Sequence, residues 1–448
     1  MRNPLMLLPA VALLAGCSTP TAHLPSAPAP VSWPMAGDTA QPGAQAWWTQ
    51  GSDPVLAELL DAAGRDSHDI KMAQARLKEA RAAHVTARSL LFPDVSATGV
   101  AQRGDIGLTY GYRTIDITQG QLNASYDLDL FGGLKARSQA AVAVARAAGA
   151  SLEDVRGAVR LEIVAAYIGL RQCQQDLDSF RTTAASAHEI SASFEQQWRK
   201  GLITEGQFRS SQIDARAADT GVSRLTEACE HYTDAISVLT GDDTMALRPR
   251  LAAAGAVPQL RHPDTTDAPM SLLRNRQDMQ AAEANLTAAR ASTRGAQASL
   301  FPDVSIGAFY GNQDTSVGPS FDVWNAAATV YWPLLNFGRI KGQIDAASAR
   351  EVEAYEGYRL TAIAALADVR TKLGAVEQAD VRQSLALADM QASERQHAEA
   401  MRQYQAGLIP RIAFLASVIR NEQSRRARID ADAELSIRAA ALYRAEGL

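Results

Sequence analysis

The sequence predicts an α+β fold that is mainly α, in which one unit of helices and strands is used twice. Three observations predict it. The hexapeptide Leu-Phe-Pro-Asp-Val-Ser occurs at residues 91–96 and again at residues 300–305, an offset of 209 (301 − 92). A very long helical pattern runs from Lys135 to Lys200 without a single proline. Segments in which apolar and polar residues alternate, the period of a β-strand, come before it.

Two further matches support the duplication. Residues 131–135 resemble residues 337–341, and residues 197–203 resemble residues 403–409, each at an offset of 206 (337 − 131). Three matches in the same order at a nearly constant offset indicate an internal repeat of about 200 residues.

The domain organisation follows from the repeat. The first predicted repeat spans residues 53–241, with strands at about 93–130, and the second spans residues 269–448, with strands at about 303–333. Between them, residues 242–268 are rich in proline and have no clear period, so an irregular inter-repeat segment is expected.

The N-terminus has the pattern of a secretory signal peptide at residues 1–16. Leu14-Ala15-Gly16-Cys17 resembles the bacterial lipobox, so we expect acyl chains such as palmitate on Cys17, and Ser18 favours an outer-membrane address in a Gram-negative bacterium. The alternative is an ordinary export signal followed by an unmodified cysteine. Residues 17–52 are rich in Pro, Ala and Ser and predict a lipid-anchored tether.

Composition excludes several classes of protein. The net charge of −5 gives no reason to expect a nucleic-acid partner. No metalloprotease, phosphate-loop, hydrolase or Cys-x-x-Cys motif occurs, and the seven histidines are scattered. We therefore expect no enzyme activity, no cofactor and no metal site.

The first repeat begins with helix. Asp53-Pro54 is a helix start signal, and a packed face with 3/4 spacing continues to about Leu91. Pro93 then ends the helical pattern, and the period changes from 3.6 to 2.

The second strand shows the clearest alternation. Its polar face is predicted to consist of Asn123, Ser125, Asp127 and Asp129, and its apolar face of Leu122, Tyr126 and Leu128. A globular sheet with a solvated polar face and a membrane barrel with a polar lumen both give this pattern, and the secretion signal favours the barrel. Strands of 9–11 residues are expected, the length that spans a bilayer when tilted.

Long helical hairpins complete each repeat. The helix from Lys135 to Lys200 turns at residues 201–204 and returns to about Thr240. In the second repeat, strands are expected at 304–311 and 323–332, the long helix at 339–406 and its return at 412–443.

The strand count predicts an oligomer. Two hairpins give four strands per chain, and unpaired strand edges are not tolerated in lipid. A transmembrane barrel needs at least eight strands, so several chains must pool their strands.

The sequence resembles the TolC-like outer-membrane efflux family, lipoprotein (OprM/NodT-type) branch. The residues that carry the resemblance are Cys17, Trp47-Trp48, Asp53-Pro54, the duplicated Leu-Phe-Pro-Asp-Val, residues 126–132, Gly201-Leu202, residues 272–274, residues 282–283 and Gly407-Leu408. The resemblance implies a homotrimer with a shared 12-stranded β-barrel in the outer membrane and an α-helical tunnel in the periplasm. The tunnel docks on a periplasmic adaptor (membrane fusion) protein and an inner-membrane efflux pump of RND type.

On this interpretation the chain passively exports small toxic compounds or drugs, with outer-membrane lipid around it. An outer-membrane component of a type I protein secretion system is the alternative. A periplasmic adaptor would also have long helical hairpins, but adaptors lack the duplicated helix–β-hairpin–helix unit.

The hairpin turns are the expected docking tips, with Gly201, Leu202, Gly407 and Leu408. Relatives commonly carry two aspartates that ring the closed pore, and this chain has Ala413 and Ala416 at the matching positions. We therefore expect gating by apolar constriction through Phe414 or Leu415, or by Glu205 of the other hairpin.

The two remaining cysteines are placed symmetrically about the first turn. Cys173 precedes Gly201 by the same sequence distance at which Cys229 follows it (201 − 173 = 229 − 201). In an antiparallel hairpin they are at the same height, and an oxidising periplasm favours a disulfide. Two unrelated core cysteines are the alternative.

Overall fold

The computed structural model describes residues 48, 53–108, 111–253, 255–260 and 274–447. The predicted signal peptide and Cys17 lie outside the described residues, as do most of the tether and residues 261–268 of the inter-repeat segment. Trp48 is the described residue of the tether, and the guanidinium of Arg160 lies 4.7 Å from its ring centroid.

Two helices begin the described chain: α1, Pro54–Asp66, and α2, His68–Ser89. Asp53 caps α1, because its Oδ1 accepts hydrogen bonds from the backbone N–H groups of Val55 (2.9 Å) and Leu56 (3.3 Å). The prediction of one helix to about Leu91 was wrong. Ser67 is extended at ψ 127° and fully buried. This break lets α1 pack on the first long helical hairpin, residues 133–240, while α2 packs along the first helix of that hairpin.

Four antiparallel strands form one sheet in the order β1-β2-β3-β4. They span β1 Asp94–Leu108, β2 Gly111–Leu128, β3 Asp303–Thr315 and β4 Gly318–Tyr331. At 15, 18, 13 and 14 residues, they are longer than the predicted 9–11. Backbone pairing continues past the alternating segments up to Leu108↔Gly111 and Thr315↔Gly318, which leaves tight turns.

The sheet register repeats the sequence offsets. Ser96 pairs with Asn123 in the first hairpin, and Ser305 pairs with Thr329 in the second. The first members differ by 209 (305 − 96) and the second by 206 (329 − 123). The duplication therefore holds at the level of individual strand pairs.

The long helices are α3, Gly133–Arg199, and α7, Arg339–Gln405, each of 67 residues. Their return helices are α4, Glu205–Thr240, and α8, Arg411–Ala445. The helix that precedes the second hairpin is α6, Gln277–Ala298. α3 packs against α2, α4, α6 and α8, whereas α7 packs against α6 and α8.

The inter-repeat segment contains a short helix, α5, Thr244–Leu251, where an irregular segment was predicted. Leu247 and Leu251, four residues apart, are both buried, and α5 packs on α4. Pro249 lies within the helix and obscures this short periodic face in the sequence. Tertiary packing is therefore what orders this segment.

The main apolar core surrounds the middle of α3. Ile163, Val164, Tyr167 and Ile168 are fully buried there, with side chains of α1, α4, α5 and α8 packed around them. In the same region Tyr167 donates a hydrogen bond of 2.7 Å to Asp53 Oδ2, the carboxylate that caps α1. Burial and this carboxylate raise the pKa of Tyr167 to about 12.

Candidate functional site

Both long hairpins reverse through the same backbone motif. At the first tip, Gly201 has φ 68°, its N–H donates to the carbonyl of Trp198 (2.8 Å), and Leu202 N–H donates to that of Gln197 (2.9 Å). This is a Schellman motif, and its left-handed residue favours glycine because a Cβ is disfavoured there.

The second tip is a copy of the first. Gly407 has φ 71°, its N–H donates to the carbonyl of Tyr404 (3.0 Å), and Leu408 N–H donates to that of Gln403 (2.8 Å). Leu202 and Leu408 are 71% and 75% exposed. Each tip thus presents an exposed leucine directly after its left-handed glycine.

Stacked aromatic rings brace each tip. Trp198 and Phe208 stack with centroids 5.3 Å apart in the first hairpin, and Tyr404 and Phe414 stack at 5.1 Å in the second. The paired positions differ by 206, so the bracing is duplicated with the turn.

The return helices start differently. Thr204 and Gln207 form a capping box at α4, whereas Pro410 precedes α8 and gives no side-chain cap. Instead, Arg411 of α8 reaches Glu189 of α3, with Nε 3.1 Å from Oε2. This ion pair joins the second tip to the first hairpin. The sequence analysis did not identify it.

The three gate candidates have different surroundings. Leu415 is only 5% exposed and is packed within the chain, so it is not available to line a pore, and that choice was wrong. Phe414 stacks between Tyr404 and His397, the latter at 5.6 Å. Glu205 is exposed at the start of α4 and pairs with Arg209 one turn later.

Amide side chains connect the polar face of β2. Gln119 donates to Gln121 (2.7 Å), Gln121 donates to Asn123 (2.8 Å), and Asn123 donates across to Thr98 of β1 (3.1 Å). Ser125 and Asp127 continue this face in the same strand. Neighbouring polar side chains on this face therefore satisfy one another's hydrogen-bonding groups.

Asp129 does not belong to that face. β2 ends at Leu128, and the carboxylate of Asp129 accepts hydrogen bonds from the N–H groups of Leu134 (2.9 Å) and Lys135 (2.7 Å) at the start of α3. The assignment of Asp129 to the polar face of the strand was wrong, because the alternation was extended one residue past the end of β2, into the residue that caps α3.

Cys173 and Cys229 are joined by a disulfide, with their Cα atoms 5.6 Å apart. The bond connects α3 to α4 about the first turn, at the positions that the equal spacing predicts. Cys173 is buried against α4.

A buried carboxylate, Asp176, lies on α3 where it packs on α8, close to the exposed Asp430. Asp176 is 7% exposed, and its Oδ1 accepts no hydrogen bond from the residues that the structure describes. Burial and the nearby Asp430 raise the pKa of Asp176 to about 7, and Arg426 opposes the shift. Within a single sequence Asp176 looks like any helical aspartate, so no signal marked it.

Arg276 bridges three helices of the second repeat. Its guanidinium donates to Asp278 (2.7 Å) at the start of α6, to Asp368 of α7 (3.3 Å) and to the carbonyl of Ala445 (2.7 Å) at the end of α8. Although burial opposes the shift, hydrogen bonds from Arg276 hold the pKa of Asp278 below its usual range. An Arg-x-Asp sequence at the helix start was the available signal.

Among the described residues, no group of three or more His, Cys, Asp or Glu side chains could hold a metal ion. None of the described helices is both long and apolar enough to cross a membrane.

Comparison with known proteins adds to this geometry. A family model described as "Outer membrane efflux protein" matches residues 59–241 and 268–448. The pyoverdine export outer membrane protein OpmQ of Pseudomonas putida is 27% identical over 417 residues, covering 90% of this chain and 88% of that protein. The toluene efflux pump outer membrane protein TtgI of Pseudomonas putida is 28% identical over 387 residues, covering 80% of each. The Campylobacter jejuni CmeC outer membrane channel superposes with a TM-score of 0.82 at 20% identity, covering 96% of this chain and 94% of that one.

Proposed function

The chain belongs to the outer membrane efflux protein family, and on that premise we propose that it is the trimeric outer-membrane channel of a tripartite efflux system. It then carries small toxic compounds passively from the periplasm, or from a pump, to the exterior. The family consists of outer-membrane transport channels, so the predictions of an outer-membrane location and of no enzyme activity are confirmed.

One observation carries the proposal: two equivalent hairpins form a single four-stranded sheet that has two free edges. Among the residues that the structure describes, β1 and β4 each pair on one side only, and four strands are too few to close around a lumen. Three copies supply twelve strands, which removes all edges. The polar ladder on β2 supports a water-filled interior for that closed sheet.

The hairpin tips are the proposed docking surface. A periplasmic adaptor protein would bury Leu202 and Leu408, and an inner-membrane pump of RND type would deliver the cargo through it. Cys17 would attach the chain to outer-membrane lipid. Because OpmQ is named for pyoverdine export and TtgI for toluene efflux, their names favour small molecules over the secreted proteins of a type I system.

The proposal is tested by deleting the gene and restoring it on a plasmid. Deletion should raise intracellular accumulation of a fluorescent efflux substrate such as ethidium, and the wild-type copy should lower it again. A copy with Leu202→Asp and Leu408→Asp should reach the outer membrane at normal levels yet fail to restore efflux. Unchanged accumulation of several chemically different efflux substrates in the deletion strain would contradict the proposal.

A further inference from the structure

The polar face of the sheet is its concave face. Along β2, Gln121 and Asn123 of the polar face are partly buried, whereas the intervening and flanking Gly120, Leu122 and Ala124 are exposed. Side chains crowd together on the inner side of a curved sheet and spread apart on its outer side. The sheet therefore curves toward its polar face, which would surround the lumen of the proposed barrel.

A cavity of about 390 Å³ lies at the base of the sheet, where the strands give way to the long helices. Asp303 of β3 and Tyr331 of β4, which lie opposite each other, line it. Ser305, two residues from Asp303 and so on the same face, lies opposite Asp127. The cavity therefore borders the concave, polar side of the sheet.

Much of the cavity wall is apolar. Phe131 and Phe301 line it and stack on each other, with centroids 4.7 Å apart and planes 10° apart. Pro333 and Ile340 line it as well. The volume is within the range of about 300–1,000 Å³ typical of small-molecule sites, and stacked rings suit a flat aromatic body.

Two arginines line the same cavity, Arg137 of α3 and Arg339 of α7. Both side chains are exposed, and neither forms an ion pair with the residues that the structure describes. Their repeat equivalents, 206 positions away, are Gln343 and Gly133, which line the cavity without charge. The two repeats thus bring one arginine each to a single cavity.

Two carboxylates also line the cavity, those of Asp129 and Asp303. The carboxylate of Asp129 is already engaged, because it accepts hydrogen bonds from the backbone N–H groups of Leu134 and Lys135. Asp303 is then the acidic lining residue left to oppose two arginines. The excess of positive charge favours an anionic ligand.

We propose that this cavity binds small aromatic carboxylates and that such acids are among the compounds the channel exports. The guanidinium groups of Arg137 and Arg339 bind the carboxylate through charge-assisted hydrogen bonds, and the rings of Phe131 and Phe301 contact the aromatic body. This inference rests on the proposed function, because the cavity lies on the export route only if the polar face lines the lumen.

Binding of benzoate at pH 7 to the full-length protein, purified from outer membranes in detergent and titrated by ligand-observed NMR, tests the site. Wild type should bind benzoate at least about tenfold more tightly than benzamide, which has the same shape and no charge. Arg137→Gln with Arg339→Gln should weaken benzoate binding about tenfold and change benzamide binding little. Lysine at both positions keeps the charge and should retain most of the affinity.

The matched control is Lys135→Gln with Lys341→Gln. These exposed lysines lie in the same helical turns as the arginines and do not line the cavity, so their loss should leave benzoate binding unchanged. Equal weakening by the lysine and arginine variants, or no binding of benzoate to wild type, would overturn the site.

The ethidium measurement on the deletion strain separates this inference from the proposed function. If the wild-type copy restores ethidium efflux but the protein does not bind benzoate, the site is overturned and the proposed function stands. If deletion leaves the accumulation of every efflux substrate unchanged, the function is overturned, and with it the export role of the cavity.

Discussion

At the scale of single residues, Asp176 sets a pH dependence. Its pKa is about 7 in the folded chain against 3.8 ordinarily, so between about pH 4 and pH 7 the folded state binds more protons than the unfolded state. The free energy of unfolding therefore falls as pH rises through this window and stays low above it.

Asp176→Asn removes this penalty, because an amide carries no charge to bury next to Asp430. At pH 8 we expect the variant to be more stable than wild type by on the order of 1–3 kcal/mol in the free energy of unfolding, and so to unfold at a higher temperature. At pH 4 we expect little gain. Thermal denaturation followed by circular dichroism at both pH values measures this. Asp178→Asn, exposed on the same helix, is the control. An equal gain at the two pH values would contradict the assignment.

Loss of the Arg276 side chain should destabilise the second repeat. Its side chain is only 13% exposed and bridges α6, α7 and the end of α8, so Arg276→Ala leaves Asp278 and Asp368 without their partner. We expect a loss of about 3–5 kcal/mol, seen as a lower thermal midpoint. Arg274→Ala, an exposed neighbour, should change stability little. Equal effects of the two substitutions would argue against the bridge.

At the scale of elements, the hairpin turns depend on their glycines. Gly201→Ala and Gly407→Ala should each destabilise their hairpin by about 1 kcal/mol, because both residues are left-handed in the same motif. Hydrogen exchange at the first and last turns of the hairpin helices would report the loss locally. Gly206→Ala, two positions into α4 and not left-handed, should not increase exchange. A silent Gly407→Ala would show that the two tips are not equivalent.

The disulfide between α3 and α4 also acts at the scale of elements. It spans 56 residues and holds α3 to α4 well above the turn, so Cys173→Ser with Cys229→Ser should lower stability by about 2–4 kcal/mol. Mass spectrometry of non-reduced peptides from outer-membrane protein should find the two cysteines linked. Free thiols on both in that material would contradict the bond.

An element could be predicted from the sequence when the residues that determine it are local, and not when tertiary packing determines it. The turns at Gly201 and Gly407 could be predicted because a left-handed residue leaves glycine in the sequence, twice at the same offset. The predicted TolC-like fold, α+β and mainly α, is confirmed. It could be predicted because the change of period from 3.6 to 2 is a local signal in the sequence. The break at Ser67 could not be predicted, because 3/4 spacing continues across it and only the packing of α1 on α3 and α4 requires it.

The site residues divide in the same way. Asp127 and Asp129 are indistinguishable by alternation, and only the start of α3 separates a strand residue from a helix cap. Leu415 looked free in the sequence, but its burial depends on how the second hairpin packs. The Glu189–Arg411 pair joins residues 222 positions apart, and a single sequence gives no indication that they meet.

At the scale of the whole molecule, duplication explains both what the chain completes and what it leaves open. One interface between repeats is formed within the chain, where α3 packs on α6 and α8 and β2 pairs with β3, while β1 and β4 are the edge strands of the described sheet. In the proposed trimer the two repeats would alternate around the ring, and polar residues such as Asn123 and Asp127 would line its interior.

The mass of the assembly tests this account most directly. Protein extracted from outer membranes in a mild detergent and measured by native mass spectrometry should have three times the mass of one chain that begins at Cys17 with its lipid attached. Three copies would supply twelve strands and no free edge. A single copy, or a number of copies other than three, would contradict the trimeric channel.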